Sequence, residues 1–437
     1  MAIPLHSRIY NSDVQSKKDG SEVIVAGWVA EVKLLGKLAF LKLRDRSGFL
    51  QIVATGDFKK FREIAKISLE SVIVAKGKVK PSKAKAGGKE LQLEDFEVLS
   101  LADSHLPIDM TGKIETDLSK RLDWRVLDLR NPAHMAVFKI QSKLIEGAVE
   151  WFEQNDFTIT FTPCLLGFPS ESGSEMFEVP YFGRKAFLRQ DPQLHRQLTV
   201  ISGLEKIADI GTSWRAEQSH TTRHLTEHRT LAVEVGFIEN EYDIMKIEEQ
   251  LVAAMVKKIL QDCKDELKFF PGAELKVPKL PFPVLEFPEV YKILEKAGHK
   301  SKTIDPEAEK ILANYVKEKH KHDFFFLNKF PFDEKPFYVM CDDKNPKFAR
   351  STDLIYKGVE LSSGGQRENR YANLMENIRV KKMMPKLIAW FTEFFKYGAC
   401  PHGGFCIGVE RLTMQILGLE NIRDAVLFPR DPSRITP

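Results

Sequence analysis

A polar segment between two β-prone runs holds the first residues whose types and spacing suggest chemistry. Residues 210–237, IGTSWRAEQSHTTRHLTEHRTLAVEVGF, predict a long antiparallel hairpin with a charged tip. Arg215 and Glu217 are two positions apart, so on a strand both side chains point to one face. A guanidinium matches phosphate oxygens and a carboxylate accepts from an amine, and Arg223 and His224 follow closely. The hairpin therefore suits a ligand with phosphate and amine groups, and a solvated hairpin with a local ion pair is the alternative.

A glycine-rich stretch near the C-terminus offers a second binding group. In YGACPHGGFCIGVERLTMQILGL, residues 397–419, Gly408 allows a ligand to approach the backbone closely. Residues 409–417 have the apolar spacing of a buried helix. Arg411 lies near the start of that helix, where the helix dipole disfavours a cation unless an anion is bound there. The two stretches together predict an anion site built from distant parts of the chain.

These stretches resemble motifs 2 and 3 of the class II aminoacyl-tRNA synthetases. The predicted helix and strand over residues 132–166 resemble motif 1, the dimer-interface element, which implies a homodimer. Residues 358–370, GVELSSGGQRENR, and the ending LFPRDPSRITP resemble the archaeal and eukaryotic aspartyl branch of this family. The resemblance extends over residues 27–437. It implies an α+β protein in which a class II synthetase domain, an antiparallel sheet flanked by helices, follows an N-terminal barrel.

The resemblance implies an aminoacyl-tRNA ligase that activates L-aspartate with ATP and Mg²⁺ and transfers it to tRNA(Asp). Whether tRNA(Asn) is charged as well stays open. The implied catalytic residues are Arg215 and Arg411. The implied ATP-binding residues are Arg215, Ala216, Glu217, Arg223, His224, Leu225, Glu360, Gly408, Val409, Glu410 and Arg411. The implied aspartate-binding residues are Glu171, Gln193, Leu194, His195, Arg196, Arg215, Ser363 and Arg367, and the implied metal ligands are Glu360 and Ser363.

The N-terminal hundred residues read as a small β-barrel. Five short apolar runs with a helical segment between the third and fourth predict an OB-type barrel. Such barrels bind oligonucleotides on strands 2 and 3, where Phe40 and Gln51 lie, although Phe40 as a core residue is the alternative. Residues 27–53 resemble the anticodon-binding barrel of aspartyl-, asparaginyl- and lysyl-tRNA synthetases. This implies that Phe40 stacks on an anticodon base and Gln51 reads its edge, with Trp28, Lys33 and Arg44 as backbone contacts.

The predicted domains are an OB-fold anticodon-binding domain over 1–103, a hinge over 104–131 and a class II catalytic domain over 132–437. The distribution of charged residues also indicates that residues 1–100 form a separate domain. Residues 1–100 hold 18 Lys and Arg against 12 Asp and Glu, whereas the remaining 337 residues hold 47 against 49. A basic module is typical of nucleic-acid binding, here of tRNA, although a solvated lysine surface is an alternative.

Composition narrows the class of protein. The hydrophobic fraction of 43% and the charged fraction of 29% are typical of globular proteins. No apolar run approaches the roughly 20 residues of a membrane span, and no signal peptide is expected. Five scattered cysteines predict reduced thiols and a cytoplasmic protein. The nearby Cys400, His402 and Cys406 match no reliable zinc spacing.

Several elements around the predicted pocket can be read from the sequence. Residues 132–154 predict a long amphipathic helix, and residues 168–177 a mobile loop suited to a lid. A further helix is predicted with Asp191 as its N-cap and Pro192 at its first position. In that helix Gln193 and Arg196 are expected to share the exposed face.

This sequence departs from the family pattern around the amino-acid pocket. Asp191 stands where a serine is usual, Arg196 where a lysine is usual, Ala232 where an acid is usual, Ser172 where a glycine is usual, and His228 or Arg229 where an aromatic residue stacks on adenine. Arginine and lysine are not interchangeable at close-fitting sites. Besides an aspartyl enzyme, the sequence therefore allows a related adenylating enzyme with another amino acid or acceptor, or a non-catalytic tRNA-binding relative.

Overall fold

The computed structural model describes residues 3–83, 87–110, 114–168, 176–216, 218, 221–299 and 303–437. The chain separates into two compact units, Met1–Asp117 and Leu118–Pro437. This division falls inside the segment predicted as a hinge, and the predicted domain boundaries at 103 and 131 stay predictions. Within the described ranges, no helix combines the length and the apolar character needed to cross a membrane.

The first unit is a closed five-stranded barrel with the strand order β1-β2-β3-β5-β4. Its strands are β1 Glu22–Leu35, β2 Leu38–Asp45, β3 Gly48–Thr55, β4 Val72–Pro81 and β5 Lys89–Ser100. The short helix α1, Phe61–Ile64, lies between β3 and β4, as the sequence predicts. The OB-type barrel is confirmed.

Alternation along β2 and β3 separates the inside of the barrel from its outer face. Leu41 and Ile52 are buried in the barrel core. Phe40 is half-buried and lies one position from Leu41, so its side chain points to the outer face. Phe40 pairs with Val53 and Lys42 with Gln51 in the antiparallel register of the two strands. The alternative that Phe40 is a core residue is therefore wrong.

The second unit is organised around an eight-stranded sheet with the order β12-β13-β14-β15-β16-β11-β10-β6. Its strands are β6 Thr158–Thr160, β10 Lys206–Trp214, β11 Glu227–Gly236, β12 Val284–Glu286, β13 Phe324–Asn328, β14 Ser351–Tyr356, β15 Val359–Gln366 and β16 His402–Gly408. All neighbours are antiparallel except the edge pairs β6–β10 and β12–β13. A smaller sheet contains β7 Leu165–Leu166, β8 Glu178–Tyr181 and β9 Arg184–Leu188.

The helices of the second unit complete the predicted α+β fold. They are α2 Leu118–Asp123, α3 Arg125–Asp128, α4 Pro132–Gln154, α5 Gln193–Thr199, α6 Glu241–Asp262, α7 Glu289–Lys296, α8 Pro306–His320, α9 Tyr371–Val380, α10 Ala389–Thr392 and α11 Val409–Leu417. The bounds of α4 match the prediction because Asn131 caps the Ala133 N–H and Pro132 occupies the first turn. Buried side chains of α4, α6 and the sheet form one core.

The central strands carry alternating side chains that form the floor of the site. On β11, residues 228, 230, 232 and 234 share one face. Ala232 pairs with Asp209 on β10 and with Cys406 on β16. Cys406 in turn pairs with Ser363 on β15. Because directly paired residues lie on the same face, the predicted hairpin and the C-terminal glycine stretch contribute to one surface.

The start of α5 differs from the prediction. The helix begins at Gln193, Pro192 occupies the N-cap position, and no side chain caps it. The Asp191 carboxylate accepts instead from Arg196, whose guanidinium is fully buried and requires an anion. Gln193 is 2% exposed and Arg196 is 0% exposed, so the expectation of an exposed face is also wrong.

Candidate active site

A cavity of about 510 Å³ opens on the central strands of the large sheet. Both arginines predicted from distant stretches, Arg215 and Arg411, line it. The other predicted site residues on its wall are Gln193, Arg223, His224, Leu225, Glu360, Ser363, Arg367, Gly408 and Glu410. The β10–β11 hairpin, the β14–β15 hairpin and the start of α11 therefore meet at one site.

Five predicted site residues do not line this cavity. Leu194 and Val409 are buried in hydrophobic clusters, and Ala216 follows Arg215 without reaching the wall. His195 stacks against Trp390, with ring centroids 5.0 Å apart, and lines a separate groove. Arg196 is enclosed by other side chains. The predictions for Glu171, Ser172 and Glu217 fall outside the described residues.

Cations and anions face each other at the end of the cavity near α11. Arg411 donates from Nη1 to the Glu360 carbonyl oxygen at 2.9 Å, and the same nitrogen lies 3.6 Å from the Glu360 carboxylate. The Arg215 side chain is exposed, while its backbone N–H donates to the Thr226 carbonyl oxygen at 3.0 Å. This end therefore presents the exposed guanidinium of Arg215 and the guanidinium of Arg411, which is fixed to a strand.

Helix α8 reaches this end of the cavity through Glu309. Its Oε1 accepts the Glu360 N–H at 3.1 Å, and its Oε2 lies 3.5 Å from Arg223 Nη1. Burial raises the pKa of Glu309 to about 7. Partial desolvation inside the cavity and the Asp353 carboxylate also raise the pKa of Glu360, although part of its side chain is exposed, and Arg411 partly offsets this rise. One carboxylate thus holds both a cavity arginine and the strand that carries Glu360.

The surroundings of His228 and Glu410, which lie beside these arginines, shift the pKa of each side chain. Burial, with Arg215 and Arg411 nearby, lowers the pKa of His228 to about 3, so its imidazole is neutral at pH 7. Glu410 accepts the Arg229 N–H at 3.1 and 2.9 Å, and burial raises its pKa to about 7. Glu410 therefore fastens the start of α11 to β11.

A buried arginine and its partners form the other end of the cavity. Arg367 donates from Nε to Glu234 Oε1 at 2.9 Å and from Nη2 to Gln193 Oε1 at 3.1 Å. Gln193 Nε2 donates to Glu234 Oε2 at 2.8 Å. Glu234 is 0% exposed, and a Cβ on Gly404 would overlap its carboxylate. The guanidinium is therefore fixed in position while it lines the cavity.

Arg196 belongs to a second, deeper ionic cluster. Its Nη2 donates to both oxygens of Asp191 at 2.6 Å, and its Nη1 lies 3.6 Å from Asp209 Oδ2. Asp209 also lies 3.7 Å from Arg189 Nη1. Burial alone would lower the pKa of Arg196, but Asp191 raises it. Asp191 is on the cavity wall, whereas Arg196 supports it from behind.

Glu360 and Ser363 offer oxygen atoms at the predicted metal position. The Glu360 side chain is 43% exposed, and Ser363 is exposed on β15. Asp353, paired with Ser363 across the strands, is neutralised by Lys335 at 2.8 Å. Across the described ranges, no three or more His, Cys, Asp or Glu side chains come together as a metal cluster. His402 instead contacts the Cys400 carbonyl oxygen at 2.8 Å.

The predicted nucleic-acid residues lie on the outer face of the barrel, with one exception. Gln51 Nε2 donates to Glu90 at 2.7 Å, and Lys33 is an exposed partner of Glu31. Arg44 is 5% exposed and lies 2.6 Å from Glu70, so it stabilises the barrel and is not available to a ligand. The prediction of a contact from Arg44 is wrong.

Sequence reasoning missed two carboxylates of the site. Glu234 could have been found, because it continues the two-residue alternation of His228 and Thr230 on the same strand face. Glu309 gave no comparable signal. Its contact with Glu360 joins residues 51 positions apart, and only the packing of α8 against β15 creates it.

Family models match both parts of the chain. The model described as "tRNA synthetases class II (D, K and N)" matches residues 117–432. The model described as "OB-fold nucleic acid binding domain" matches residues 23–99. Both matches agree with the sheet and the barrel described above.

Similar proteins match over nearly the whole length. The chain is 41% identical to aspartate–tRNA(Asp) ligase of Pyrococcus horikoshii, covering 98% of this chain and 99% of the relative. It is 39% identical to aspartate–tRNA(Asp/Asn) ligase of Methanopyrus kandleri, with 98% and 99% covered. Among solved structures, asparaginyl-tRNA synthetase from Pyrococcus horikoshii with asparaginyl-adenylate is similar with a TM-score of 0.91 at 32% identity, covering 98% and 99%.

A further solved structure has the same fold. Aspartyl-tRNA synthetase from Entamoeba histolytica is similar with a TM-score of 0.87 at 28% identity, covering 98% of this chain and 92% of the other. The family model spans most of the chain, and relatives above 30% identity cover it almost entirely. The chain therefore belongs to the class II tRNA synthetases of the D, K and N group.

Proposed function

We propose that this chain is an aspartate–tRNA ligase, which activates L-aspartate with ATP and transfers it to the 3′ end of tRNA(Asp). The observation that carries the proposal is the cavity that Arg215 and Arg411 share, with the fixed Arg367 at its other end. Curated relatives at about 40% identity carry the same ligase name, some for tRNA(Asp) and some for tRNA(Asp/Asn). Whether this chain also charges tRNA(Asn) is decided by assay with both tRNAs.

The end of the cavity near α11 suits ATP. The exposed Arg215 would clamp the α-phosphate and the amino-acid carboxylate, because a guanidinium can bind two oxygens at once. Arg223 and His224 would reach the outer phosphates. Arg411, fixed by the Glu360 carbonyl oxygen, would pack over adenine or pair with the γ-phosphate. The role predicted for Glu217, reading the adenine amine, belongs to the same proposal.

Glu360 and Ser363 fit the requirements of Mg²⁺. Both supply hard oxygens, both line the cavity, and Mg²⁺ typically takes one or two protein oxygens together with phosphate oxygens and waters. When bound, the ion neutralises charge on the phosphates. Glu309 and Lys335 would hold the surrounding strands in place, through the Glu360 N–H and the Asp353 carboxylate.

The other end of the cavity suits aspartate. Arg367 is the guanidinium on this wall, and Glu234 and Gln193 hold it in one orientation. A carboxylate on the substrate side chain would bind the Nη1 group, because Nε donates to Glu234 and Nη2 donates to Gln193 and Gly404. Arg196, which the resemblance implies as an aspartate-binding residue, would act only through Asp191.

The reaction follows from positioning and needs no protein nucleophile. An α-carboxylate oxygen of aspartate attacks the α-phosphorus of ATP in line, and the bond to the bridging oxygen breaks to release pyrophosphate. The terminal ribose hydroxyl of tRNA then attacks the activated carbonyl, loses its proton and displaces AMP. Arg215 would stabilise the negative charge that develops in the first step, an effect worth roughly 10²–10³ in rate per group.

The decisive test is ATP–pyrophosphate exchange with a panel of amino acids. We expect L-aspartate to drive exchange in the wild-type protein and Arg215→Ala to abolish it without unfolding the chain. Arg379→Ala is the matched control, because Arg379 is 75% exposed on α9 and pairs with the neighbouring Glu376 at the surface. Near-normal exchange in Arg215→Ala would refute the assignment.

A second candidate is an adenylating enzyme of the same family that prefers another amino acid. The burial of Arg196 against Asp191 favours it, because one cation is removed from the substrate wall. Asparagine in the exchange panel distinguishes the two candidates. Exchange driven by asparagine and not by aspartate would establish the second.

The barrel would bind the anticodon of tRNA. Support comes from the outward Phe40 and Gln51 on neighbouring strands and from the basic charge of this unit. A non-catalytic tRNA-binding relative is disfavoured by the intact set of Arg215, Glu360 and Arg411 around the cavity.

We further propose that the protein is a cytoplasmic homodimer. Among the described residues β6 is the edge strand of the large sheet, and the neighbouring Phe161 is 85% exposed. An exposed edge strand is a template on which another chain can pair. All five cysteines are free thiols, as expected in a reducing compartment.

A further inference from the structure

The loop between β10 and β11 carries two residues of the nucleotide end, Arg223 and His224, and both line the cavity. We call residues 221–226 the nucleotide loop. The C-terminal segment, residues 421–434, is hydrogen-bonded to this loop, and its Ile422 also lines the cavity. The contacts between the loop and the segment therefore bear on the direction in which Arg223 and His224 point.

Backbone hydrogen bonds attach the nucleotide loop to the C-terminal segment at two points. The Ile422 N–H donates to the Thr222 carbonyl oxygen at 2.9 Å, and the Thr226 N–H donates to the Arg430 carbonyl oxygen at 3.1 Å. Between these points Leu225 is 6% exposed and belongs to a hydrophobic cluster with Met414, Ile422 and Val426. The segment therefore holds the loop by both its backbone and its apolar side chain.

Arg423 makes a further attachment, and this one depends on a side chain. Its Nη1 donates to the Thr221 carbonyl oxygen at 3.1 Å, and its Nε donates to Asp431 Oδ2 at 2.7 Å. Burial would raise the pKa of Asp431, but its hydrogen bonds with Arg423 and Ser433 lower it to about 2, so the carboxylate is charged at pH 7. The planar guanidinium thus binds an anion of the segment and a carbonyl group of the loop together.

Thr221 connects this attachment with both cavity residues of the loop. Its Oγ1 accepts the Arg223 N–H at 3.2 Å and lies 2.5 Å from His224 Nδ1. The carbonyl oxygen of the same residue is the one that Arg423 holds. A displacement of Thr221 would therefore move the backbone of Arg223 and the imidazole of His224.

The C-terminal segment is itself fastened to α2 and α3. Arg121 Nη2 donates to Asp424 Oδ1 at 2.7 Å. Arg125 is 1% exposed and donates to the carbonyl oxygens of Val426 at 2.7 Å and Leu427 at 2.9 Å. The loop is therefore attached to a support that is fixed at several points.

Glu309 holds the Arg223 side chain in a different way. Its Oε2 lies 3.5 Å from Arg223 Nη1, which is a long contact between side chains. A phosphate of ATP would compete with this carboxylate for the guanidinium. The direction of Arg223 toward a bound phosphate therefore depends on the backbone that carries it, and so on the support of the loop.

We infer that Arg423 is a positioning residue for ATP, which holds Thr221 and thereby directs Arg223 and His224 at the outer phosphates. This inference rests on the proposed function, since it takes ATP as the ligand of the nucleotide loop. Arg423 is not among the described residues that line the cavity, so it acts through the loop.

The test compares ATP with AMP, which lacks the two outer phosphates. Dissociation constants for both nucleotides are measured by calorimetry on the full-length protein, with Mg²⁺ and without an amino acid. The variant is Arg423→Lys, because a lysine keeps the charge beside Asp431 but has no planar fork for a second contact with Thr221. We expect ATP binding to weaken by about 5- to 20-fold, as for one hydrogen bond from a charged group, and AMP binding to change by less than about twofold. Equal weakening of both nucleotides, or no weakening, would overturn the inference.

A combined variant tests whether Arg423 acts through the loop. Arg223→Ala with His224→Ala removes both side chains that Arg423 is inferred to direct. Adding Arg423→Lys to that pair should change ATP binding by less than about twofold, because effects that depend on one contact are not additive. A further loss as large as in the single variant would contradict the inference.

Arg434→Lys is the matched control, since it is the same substitution in the same segment. Arg434 Nη2 lies 2.7 Å from Asp123 on α2, and its side chain is 13% exposed. We expect both nucleotides to bind within about twofold of wild type, because this ion pair does not involve the loop. A selective loss of ATP binding here would contradict the inference, because the effect would not depend on the Thr221 contact.

Val426→Ala keeps the inference testable if Arg423→Lys does not fold. Val426 is 4% exposed and packs in the cluster that holds Leu225. We expect ATP binding to weaken by about threefold or more, with AMP changed by less than about twofold, because the loop loses part of its packing. Unchanged or equally weakened binding of the two nucleotides would overturn the inference. Failure of the proposed function is seen separately, as absence of aspartate-driven exchange in the wild-type protein.

Discussion

Gly404 stands at the most crowded point of the amino-acid end of the cavity. A Cβ there would overlap the Val233 carbonyl oxygen and the Glu234 carboxylate. The Arg367 Nη2 group also donates to the Gly404 carbonyl oxygen at 3.0 Å. A glycine is therefore required where β16 passes beneath the glutamate that orients Arg367.

We expect Gly404→Ala to reduce aspartate-driven exchange by at least about 100-fold and to lower the free energy of unfolding by about 2–4 kcal/mol. The methyl group must displace Glu234, so Arg367 loses its orientation. Exchange kinetics and thermal unfolding measure both effects. Gly272→Ala, where a Cβ meets no atom within 4 Å, is the control and should be close to neutral.

Individual residues were predicted with uneven success, for a physical reason. The i, i+3 spacing of Gln193 and Arg196 correctly placed them side by side, and their side chains are 3.0 Å apart. Spacing does not show which side of a short helix is covered, and α5 has only seven residues. Their burial depends on strands and loops far away in sequence, so it became visible only in the folded chain.

At the scale of elements, α8 stabilises the strand that carries Glu360. The β14–β15 turn packs so closely on this helix that a Cβ on Gly358 would lie 3.2 Å from Lys310 Cα. Glu309 adds the hydrogen bond to the Glu360 N–H and the contact with Arg223. A helix outside the predicted motifs thereby fixes two residues of the nucleotide end.

We expect Glu309→Ala to raise the KM for ATP by about tenfold while the KM for aspartate changes less than about twofold, because roughly one charged hydrogen bond is lost at the nucleotide end only. Steady-state exchange kinetics separate the two constants. Glu307→Gln is the control, since Glu307 is 78% exposed on the same helix. An equal rise in both constants would contradict a role limited to the nucleotide end.

Helix α6 places a buried acid behind the same strand. Glu248 is 0% exposed and accepts from Ser362, and burial raises its pKa from 4.5 to about 8. The folded state binds the proton on the Glu248 carboxyl more tightly than the unfolded chain does. The stability that this proton contributes is therefore lost as the pH rises from about 4.5 to about 8. At alkaline pH we therefore expect the wild-type protein to be less stable than a variant with a neutral side chain at position 248.

We expect Glu248→Gln to increase the free energy of unfolding by about 1–3 kcal/mol near pH 7.5 and by less than about 1 kcal/mol near pH 5. Glutamine can still accept from Ser362 and has no charge to bury. Denaturant unfolding at the two pH values measures the difference. Glu239→Gln, at an exposed position before α6, should show no pH-dependent gain, and an equal gain at both pH values for Glu248→Gln would refute the linkage.

The elements themselves were largely predictable where local signals mark their ends. Asn131 and Pro132 fixed the start of α4, and Gly418 with positive φ ends α11. The strand order of the large sheet was not readable, because β12 and β13 join it after long connections. The same limit explains why Glu309 could not be connected with Glu360 from the sequence.

At the scale of the whole molecule, the barrel and the large sheet have separate hydrophobic cores. The barrel has its own core, and the large sheet forms another with α4 and α6. We propose that the barrel binds tRNA and that the second unit performs adenylation. A surface variant of the barrel should therefore affect only the step that involves tRNA.

We expect Phe40→Ala to leave ATP–pyrophosphate exchange within about twofold of wild type and to lower the charging of tRNA(Asp) by about 10- to 100-fold, since stacking on a base contributes about 1–3 kcal/mol. Exchange and charging are measured on the same preparation. Leu99→Ala, a change to an apolar residue that is 43% exposed on β5, is the control. Unchanged charging in Phe40→Ala would remove this residue from the tRNA contact.

Gln193 Oε1 accepts two hydrogen bonds at the amino-acid end of the cavity, and this limits how the residues there can change in evolution. It accepts from Arg196 and from Arg367, so each guanidinium limits where the other can lie. Neighbouring substitutions in one network are generally non-additive. A lineage that exchanges one of these side chains must adjust the rest of the network to stay functional. Its amino-acid preference would therefore evolve by coordinated replacement of a set, with Asp191 and Arg196 as linked members of it.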